Sequence, residues 1–223
     1  MERTIVIGDV HGCIDELRSL LRTCGWRRGE RLVMVGDLVA KGPDSQGVVQ
    51  LLREEGALAV LGNHDDHVLR EGGRGAGAAK KPRPEHQKVA ATLTPADWSY
   101  LEALPLYLRL GPERGGGPDT VVVHAGAVPG IPFEQQSREH LTTLRSIDDQ
   151  GRPSKKIEGR PWAAVWPGPE PIVFGHDAVR GFQRHPHAVG LDTGCVYGKR
   201  LTALVLPERG LVSVPARRAY AEP

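Results

Sequence analysis

Apolar, β-branched runs alternate with helical stripes through the first third of the chain. Thr4-Ile5-Val6-Ile7 reads as a strand, and Ile14 to Thr23 then places Ile14, Leu17, Leu20 and Leu21 on one helical face. Arg31 to Val35 reads as the second strand. Ser45 to Glu55 is a helix with Val48, Val49, Leu51 and Leu52 toward a core, and Ala57 to Leu61 is the third strand. Successive strand-helix-strand units predict a parallel sheet with right-handed crossovers. The pattern then breaks. Glu71 to Pro84 is dominated by Gly, Lys and Arg, which precludes a packed core and reads as a mobile loop, either a cationic lid or a solvated linker.

Beyond that loop, Thr94 to Leu104 predicts a helix with Thr94 as N-cap and Pro95 at its first position. Leu106 to Leu110 and Thr120 to Val123 are strands joined through Gly111 to Asp119. Gln135 to Leu144 is a further helix, and Asp148 to Pro171 is an excursion bearing Pro and Lys. The chain finishes β-rich, with strands over Ile172 to Phe174, His187 to Leu191, Leu201 to Leu206 and Leu211 to Val214. No internal repeat is visible.

Five of the apolar runs stop at a glycine next to an Asp, Asn or His: Gly8-Asp9-Val10-His11-Gly12, Gly36-Asp37, Gly62-Asn63-His64-Asp65, His124-Ala125-Gly126 and Gly175-His176. Polar groups at the carboxyl ends of neighbouring strands can converge on one crevice. Carboxylates from Asp9 and Asp37, imidazoles from His11, His124 and His176, and the amide oxygen of Asn63 form a mixed oxygen and nitrogen donor set suited to Mn, Fe, Zn or Co. These donors exceed what one tetrahedral zinc needs. They suffice for two ions sharing a carboxylate and a water, and ions about 3.5 to 4 Å apart can clamp the attacking and leaving oxygens of a displacement at phosphorus. Taken singly, a Gly-Asp after a strand is often a turn and a lone His is often a core residue. The five in order within one chain are a different matter.

Length and charge narrow the setting. The 223 residues fit one α/β domain spanning 1–223 with its own core. A formal net charge of +2 gives no global attraction to nucleic acid or membrane, so any anion selectivity must be local. The chain enters its first strand at once, without an export signal, and no apolar run approaches membrane-spanning length, so a soluble, cytoplasmic protein is expected. Cys13, Cys24 and Cys195 lack metal-site spacing and read as reduced structural thiols. An aromatic content of 5% argues against stable binding of extended single-stranded nucleic acid.

The motifs Gly-Asp-Val-His-Gly, Gly-Asp-Leu-Val-Ala-Lys-Gly-Pro, Gly-Asn-His-Asp, His-Ala-Gly and Gly-His resemble the calcineurin-like metallophosphoesterases, in particular the branch containing the phosphoprotein phosphatases. Within that branch the chain is most similar to symmetrical diadenosine tetraphosphatases and ApaH-like phosphatases. The runs Phe174 to Gln183 and Gly190 to Gly198 point to the latter group. The resemblance implies two mixed β-sheets in a sandwich flanked by helices. It implies two divalent ions, Mn foremost, with Asp9, His11 and a bridging Asp37 on the first metal and Asn63, His124 and His176 completing the second. It also implies His64 as the general acid.

Lys41 lies four residues beyond Asp37 and Arg180 four beyond His176, so both are candidates for binding phosphate oxygens. The protein phosphatases carry an acidic residue and an Arg where this chain has Ala40 and Lys41, so the carboxylate that would orient His64 is absent. Asp65 or Asp66 could orient it, or could cap the helix starting there. Asp192 could support a ligating histidine or close a tight turn. His67, His86, His140, His185 and His187 lack the strand-end context and receive no chemistry.

The expected activity is hydrolysis of phosphoanhydrides, most specifically symmetrical cleavage of diadenosine tetraphosphate to two ADP. A broad phosphatase acting on phosphoproteins, polyphosphate or nucleotide-capped RNA is the enzymatic alternative. A catalytically silent nucleotide-binding regulator is the alternative from another class. The expected partner is a small dinucleoside polyphosphate, with no membrane.

Overall fold

In the computed structural model, which describes residues 3–75, 83–112 and 117–222, the predicted βα alternation is present. β1 (Thr4–Ile7), α1 (Ile14–Thr23), β2 (Arg31–Met34), α2 (Ser45–Glu54) and β3 (Leu58–Ala59) follow one another, and then come three helices, α3 (Asn63–Glu71), α4 (Pro84–Thr92) and α5 (Pro95–Glu102). The middle of the chain holds β4 (Tyr107–Pro112), β5 (Asp119–Val123), α6 (Arg138–Thr143), β6 (Ser146–Ile147), β7 (Pro153–Ser154), β8 (Arg160–Pro161) and α7 (Trp162–Val165). The last stretch is β9 (Ile172–Phe174), β10 (Gln183–His185), β11 (Ala188–Gly190), β12 (Arg200–Leu206) and β13 (Gly210–Pro215).

Two mixed five-stranded sheets result, in the orders β13-β12-β1-β2-β3 and β10-β11-β9-β5-β4, with a small third sheet, β7-β6-β8. In the first, β1, β2 and β3 run parallel while β12 pairs antiparallel with β1. In the second, β5, β9 and β11 run parallel and the outer strands antiparallel. Strand alternation explains the layering. Ile5 and Ile7 face α1 and α2 on one side of β1, whereas Val6 joins Val33, Val35, Val122, Val173 and Leu204 in a core between the sheets. Val121, Val123, Ile172 and Phe174 face outward onto Trp162, Trp166, Phe133 and Leu141. The architecture is the expected sandwich of two mixed sheets with helices outside. All three cysteines are free and buried, and no helix is long and apolar enough to cross a membrane.

Three stretches depart from expectation. The loop expected over Glu71 to Pro84 is bounded tightly, because α3 continues through Glu71 and α4 starts at Pro84; residues 76–82 lie outside the described residues. The helix expected from Gln135 to Leu144 is interrupted. A 3-10 turn covers Phe133–Gln135, and Gln136 then turns its amide inward to bond Val128 N and O and Ile131 O. Ser137 caps a fresh helix through His140 N. Finally, the excursion from Asp148 to Pro171 contains β7 and β8, which pair with β6, and α7, which packs against the second sheet.

Candidate active site

The loops that leave β1, β2, β3, β5 and β9 meet at one rim. The first two are stitched by His11 N to Asp37 O (2.8 Å) and Gly12 N to Leu38 O (2.9 Å). In the second sheet, Gly175 N donates to His124 O at 2.8 Å. Small residues make the convergence possible. A Cβ on Gly62 would run into the backbone and carboxylate of Asp37, and one on Gly175 would strike the carboxylate of Asp9. His11, Asp37 and His176 sit at φ 44°, 49° and 69°, a left-handed conformation that costs a non-glycine residue roughly 1 to 2 kcal/mol and concentrates at functional sites.

Asp37 is the hub. Its Oδ2 lies 3.4 Å from His11 Nε2 and its Oδ1 lies 3.5 Å from His124 Nε2. Donor atoms of His11, Asp37 and His64 form one group within 4.8 Å of one another, and those of Asp37, His124 and His176 form another. Asn63 joins through its Oδ1, 3.1 Å from His124 Nε2. Asp9 lies beneath the last loop, its carboxylate accepting from His176 N at 3.0 and 3.2 Å. The remaining ring nitrogens are aimed by backbone carbonyls: His11 Nδ1 is 3.1 Å from Val39 O and His124 Nδ1 2.9 Å from Val35 O. All six residues named from the strand-end motifs are therefore gathered at one place.

The donor set fits a pair of divalent cations on the structure's own chemistry. Buried His176 Nε2 has no hydrogen-bond partner among the described residues. Burial raises Asp9 well above the ordinary carboxylate range, with repulsion from Asp192 and Asp37 adding to it. Burial likewise pushes Asp37 up to about 6 and Asp192 to about 6. Burial holds His11 and His176 well below the imidazole range and His124 down to about 4, so these rings are neutral and available as donors. Carboxylates crowded out of water beside neutral imidazoles are an arrangement that positive ions stabilise.

His64 begins α3 directly after Asn63, and its backbone N donates to Asp37 Oδ1 at 2.9 Å. Burial, followed by repulsion from His11 and Lys41, keeps its imidazole far below the ordinary range. Neither acidic neighbour orients the ring. Asp65 accepts from Gly62 N (3.0 Å), Leu38 N (2.9 Å) and Val39 N (3.2 Å), and Asp66 pairs with Arg70 and Arg138, each at 2.6 Å. Asp192 accepts from Gly194 N at 3.0 Å, the tight-turn role.

A cavity of about 180 Å³ opens over these groups, lined by His11, Asp37, Asn63, His64 and His176 together with Lys41, Arg145, Asp192 and Tyr197. The two cations singled out by spacing fare differently. Lys41 reaches the cavity, its Nζ donating to Tyr197 Oη at 2.8 Å. Arg180 does not line it. Its guanidinium is held by Asp177 Oδ2 (2.5 Å), Ser146 Oγ (2.9 Å) and Arg145 O (3.3 Å). Arg145, just before β6, supplies the second cation and donates to His176 O at 3.2 Å. Nothing in its local sequence marks it out; only the packing of the small third sheet brings it there.

A sandwich of two mixed sheets with a rim of buried carboxylate, amide and imidazole donors defines a class of metal-dependent phosphohydrolase. The chain belongs to the calcineurin-like phosphoesterases, whose family model matches residues 2–204. It is accordingly a metal-dependent hydrolase of phosphoesters or phosphoanhydrides. It is 31% identical to the symmetrical bis(5'-nucleosyl)-tetraphosphatase of Coxiella burnetii (strain RSA 331), over 97% of this chain and 92% of that one. It is 29% identical to the asymmetrical bis(5'-nucleosyl)-tetraphosphatase PrpE of Oceanobacillus iheyensis, over 96% and 93%. The crystal structure of a candidate diadenosine tetraphosphatase superposes with a TM-score of 0.84 at 39% identity, covering 96% of this chain and 94% of that one.

Proposed function

We propose that the chain hydrolyses dinucleoside polyphosphates and cuts diadenosine tetraphosphate symmetrically into two ADP. The observation that carries this reading is the position of Asp37, within reach of His11 and His64 on one side and His124 and His176 on the other, in a cavity that also presents Lys41 and Arg145. Tetraphosphatase relatives that align over nearly the whole chain support the substrate class. The symmetric cut is proposed from the likeness of the motif set to symmetrical tetraphosphatases, one of which is the relative from Coxiella burnetii.

In this reading Asp9, His11 and Asp37 would hold one divalent ion, and Asp37, Asn63, His124 and His176 the other, with Mn the first choice. When bound, the ion pair supplies Lewis acidity at the phosphoryl oxygens and acidifies the attacking water. The chain's own residues do the rest. Lys41 and Arg145 bind phosphate oxygens and orient the bridge to be cut. His64 donates the proton that the leaving oxygen needs as its bond to phosphorus breaks.

Incubation with diadenosine tetraphosphate and Mn, followed by chromatography of the products, is expected to yield ADP alone. ATP plus AMP would overturn the symmetric cut. Absence of turnover with Mn, Co, Zn and Fe would overturn the dinucleotide reading. His64→Asn is expected to lower turnover by about 10² or more while leaving bound metal unchanged.

A further inference from the structure

Position 40, in the loop after Asp37, is Ala40, so no carboxylate from that position reaches His64. Asp65 and Asp66, the carboxylates next in sequence, are fully engaged with backbone amides and arginines. The ring of His64 is nonetheless held. Its Nδ1 lies 3.0 Å from His86 Nε2, and the two imidazoles stack with centroids 5.1 Å apart and planes 16° from parallel. His86, from the first turn of α4, is fully buried. Among the described residues its Nδ1 has no hydrogen-bond partner, and Glu85 Oε1 lies 3.4 Å away.

We propose that His86 is the residue that positions His64, through an imidazole-to-imidazole hydrogen bond. The inference deepens the reading of His64 as general acid and rests on it. An acid delivering its proton from Nε2 carries a second proton on Nδ1, and that N–H needs an acceptor. Neutral His86 offers Nε2, which leaves its own proton on Nδ1, facing Glu85. The donor direction then runs from His64 Nδ1 to His86 Nε2, as in sites where a third group orients a working imidazole.

During the cut the water oxygen forms the new bond to phosphorus and gives one proton to solvent. The bridging P–O bond breaks with its electron pair on the leaving oxygen, which takes the Nε2 proton of His64. His64, an imidazolium while it carries both protons, is left neutral with its Nδ1–H still on His86, and solvent reprotonates Nε2 before the next turnover. No proton passes through His86. It fixes tautomer and ring angle, a contribution of about 10 to 100-fold for groups that orient a working histidine.

The test is a set of variants on the full chain, assayed with Mn on the dinucleotide and on 2,4-dinitrophenyl phosphate, a nitrophenyl ester whose phenolate is a weaker base than the nucleotide phosphate and departs without a proton. His86→Leu is expected to lower kcat on the dinucleotide by about 10 to 100-fold with KM unchanged, and to change turnover of the nitrophenyl ester by less than about threefold. In a His64→Asn background it should add no further loss. His86→Gln, which keeps an acceptor, should restore most of the dinucleotide activity and serves as the deciding variant if His86→Leu does not fold.

Equal losses on both substrates, an undiminished loss in the His64→Asn background, or a His86→Gln enzyme as impaired as His64→Asn would each overturn the proposal. If His64→Asn itself left turnover intact, the general-acid reading would fall and this inference with it. If His64→Asn collapses turnover and His86→Leu does not, only the role of His86 falls.

Discussion

The loops after β2 and after β9 look alike in the sequence and act differently in the fold. Each follows a buried strand with a glycine, twists an Asp or His into the left-handed region, and places a cation four residues later. Lys41 on the first loop forms no ion pair with a carboxylate among the described residues; its ammonium extends to the hydroxyl of Tyr197 and lies 5.2 Å from the ring centroid. Arg180 on the second meets Asp177, three residues back on the same loop, and is intercepted there. Arg145 takes the place at the cavity that spacing alone would assign to Arg180. Spacing sets how far a side chain can reach, and the nearest buried counter-charge sets where it goes.

The comparison breaks most completely if the first loop is cut loose. Asp65 anchors that loop through Leu38 N and Val39 N while also bonding Gly62 N, all buried. Each buried amide left without a partner costs about 1 to 3 kcal/mol. Asp65→Ala is therefore expected to lose about 3 to 5 kcal/mol in denaturant unfolding, a large part of a domain's stability, and nearly all turnover. Retained turnover at full stability would show that the loop holds itself.

Smaller but sharper effects separate the cations. Lys41→Ala and Arg145→Ala should each lower kcat/KM on a polyphosphate substrate by about 10², the scale of losing one donor to developing charge. Arg180→Ala works through a neighbour. It leaves buried Asp177 with Arg145, whose Nε is 3.8 Å from the carboxylate, so Arg145 should be drawn from the cavity. A loss of about tenfold is expected, with about 1 to 3 kcal/mol of stability, and the kinetic part should vanish in an Arg145→Ala background. If Arg180→Ala and Arg145→Ala instead multiplied, Arg180 would be acting on substrate directly.

How much of this was readable beforehand depends on the range of the interactions. The β-branched runs and the helical stripe of α1 carry their own periodicity, and the glycine beside each polar residue marks where a strand must end with room for another loop. That is why Asp9, His11, Asp37, Asn63, His124 and His176 were legible as a group. The helix α4 was not, because Pro84 to Thr92 has no apolar stripe and buries only His86. Pro84 followed by Glu85 is a helix-start signal that could have revealed the element. Nothing local reveals that its third residue meets His64. The two-residue strands that deliver Arg145 are equally silent, since their pairing is decided by packing against Trp162 and Leu141 rather than by any pattern of their own.

Tyr197 gives the finest test of the difference between the loops. Its hydroxyl is the acceptor that the Lys41 ammonium has in place of a carboxylate, and its ring offers a cation–π contact worth about 0.5 to 1 kcal/mol where solvent reaches it. Tyr197→Phe removes the first and keeps the second. If the hydroxyl only parks the side chain, phosphate replaces it on binding, and the variant should show KM within about threefold of the parent and an unchanged kcat. Tyr197→Leu removes both and should raise KM further, by about fivefold at a contact of that strength. A fall in kcat with Tyr197→Phe would mean that the hydroxyl itself touches the reacting phosphate.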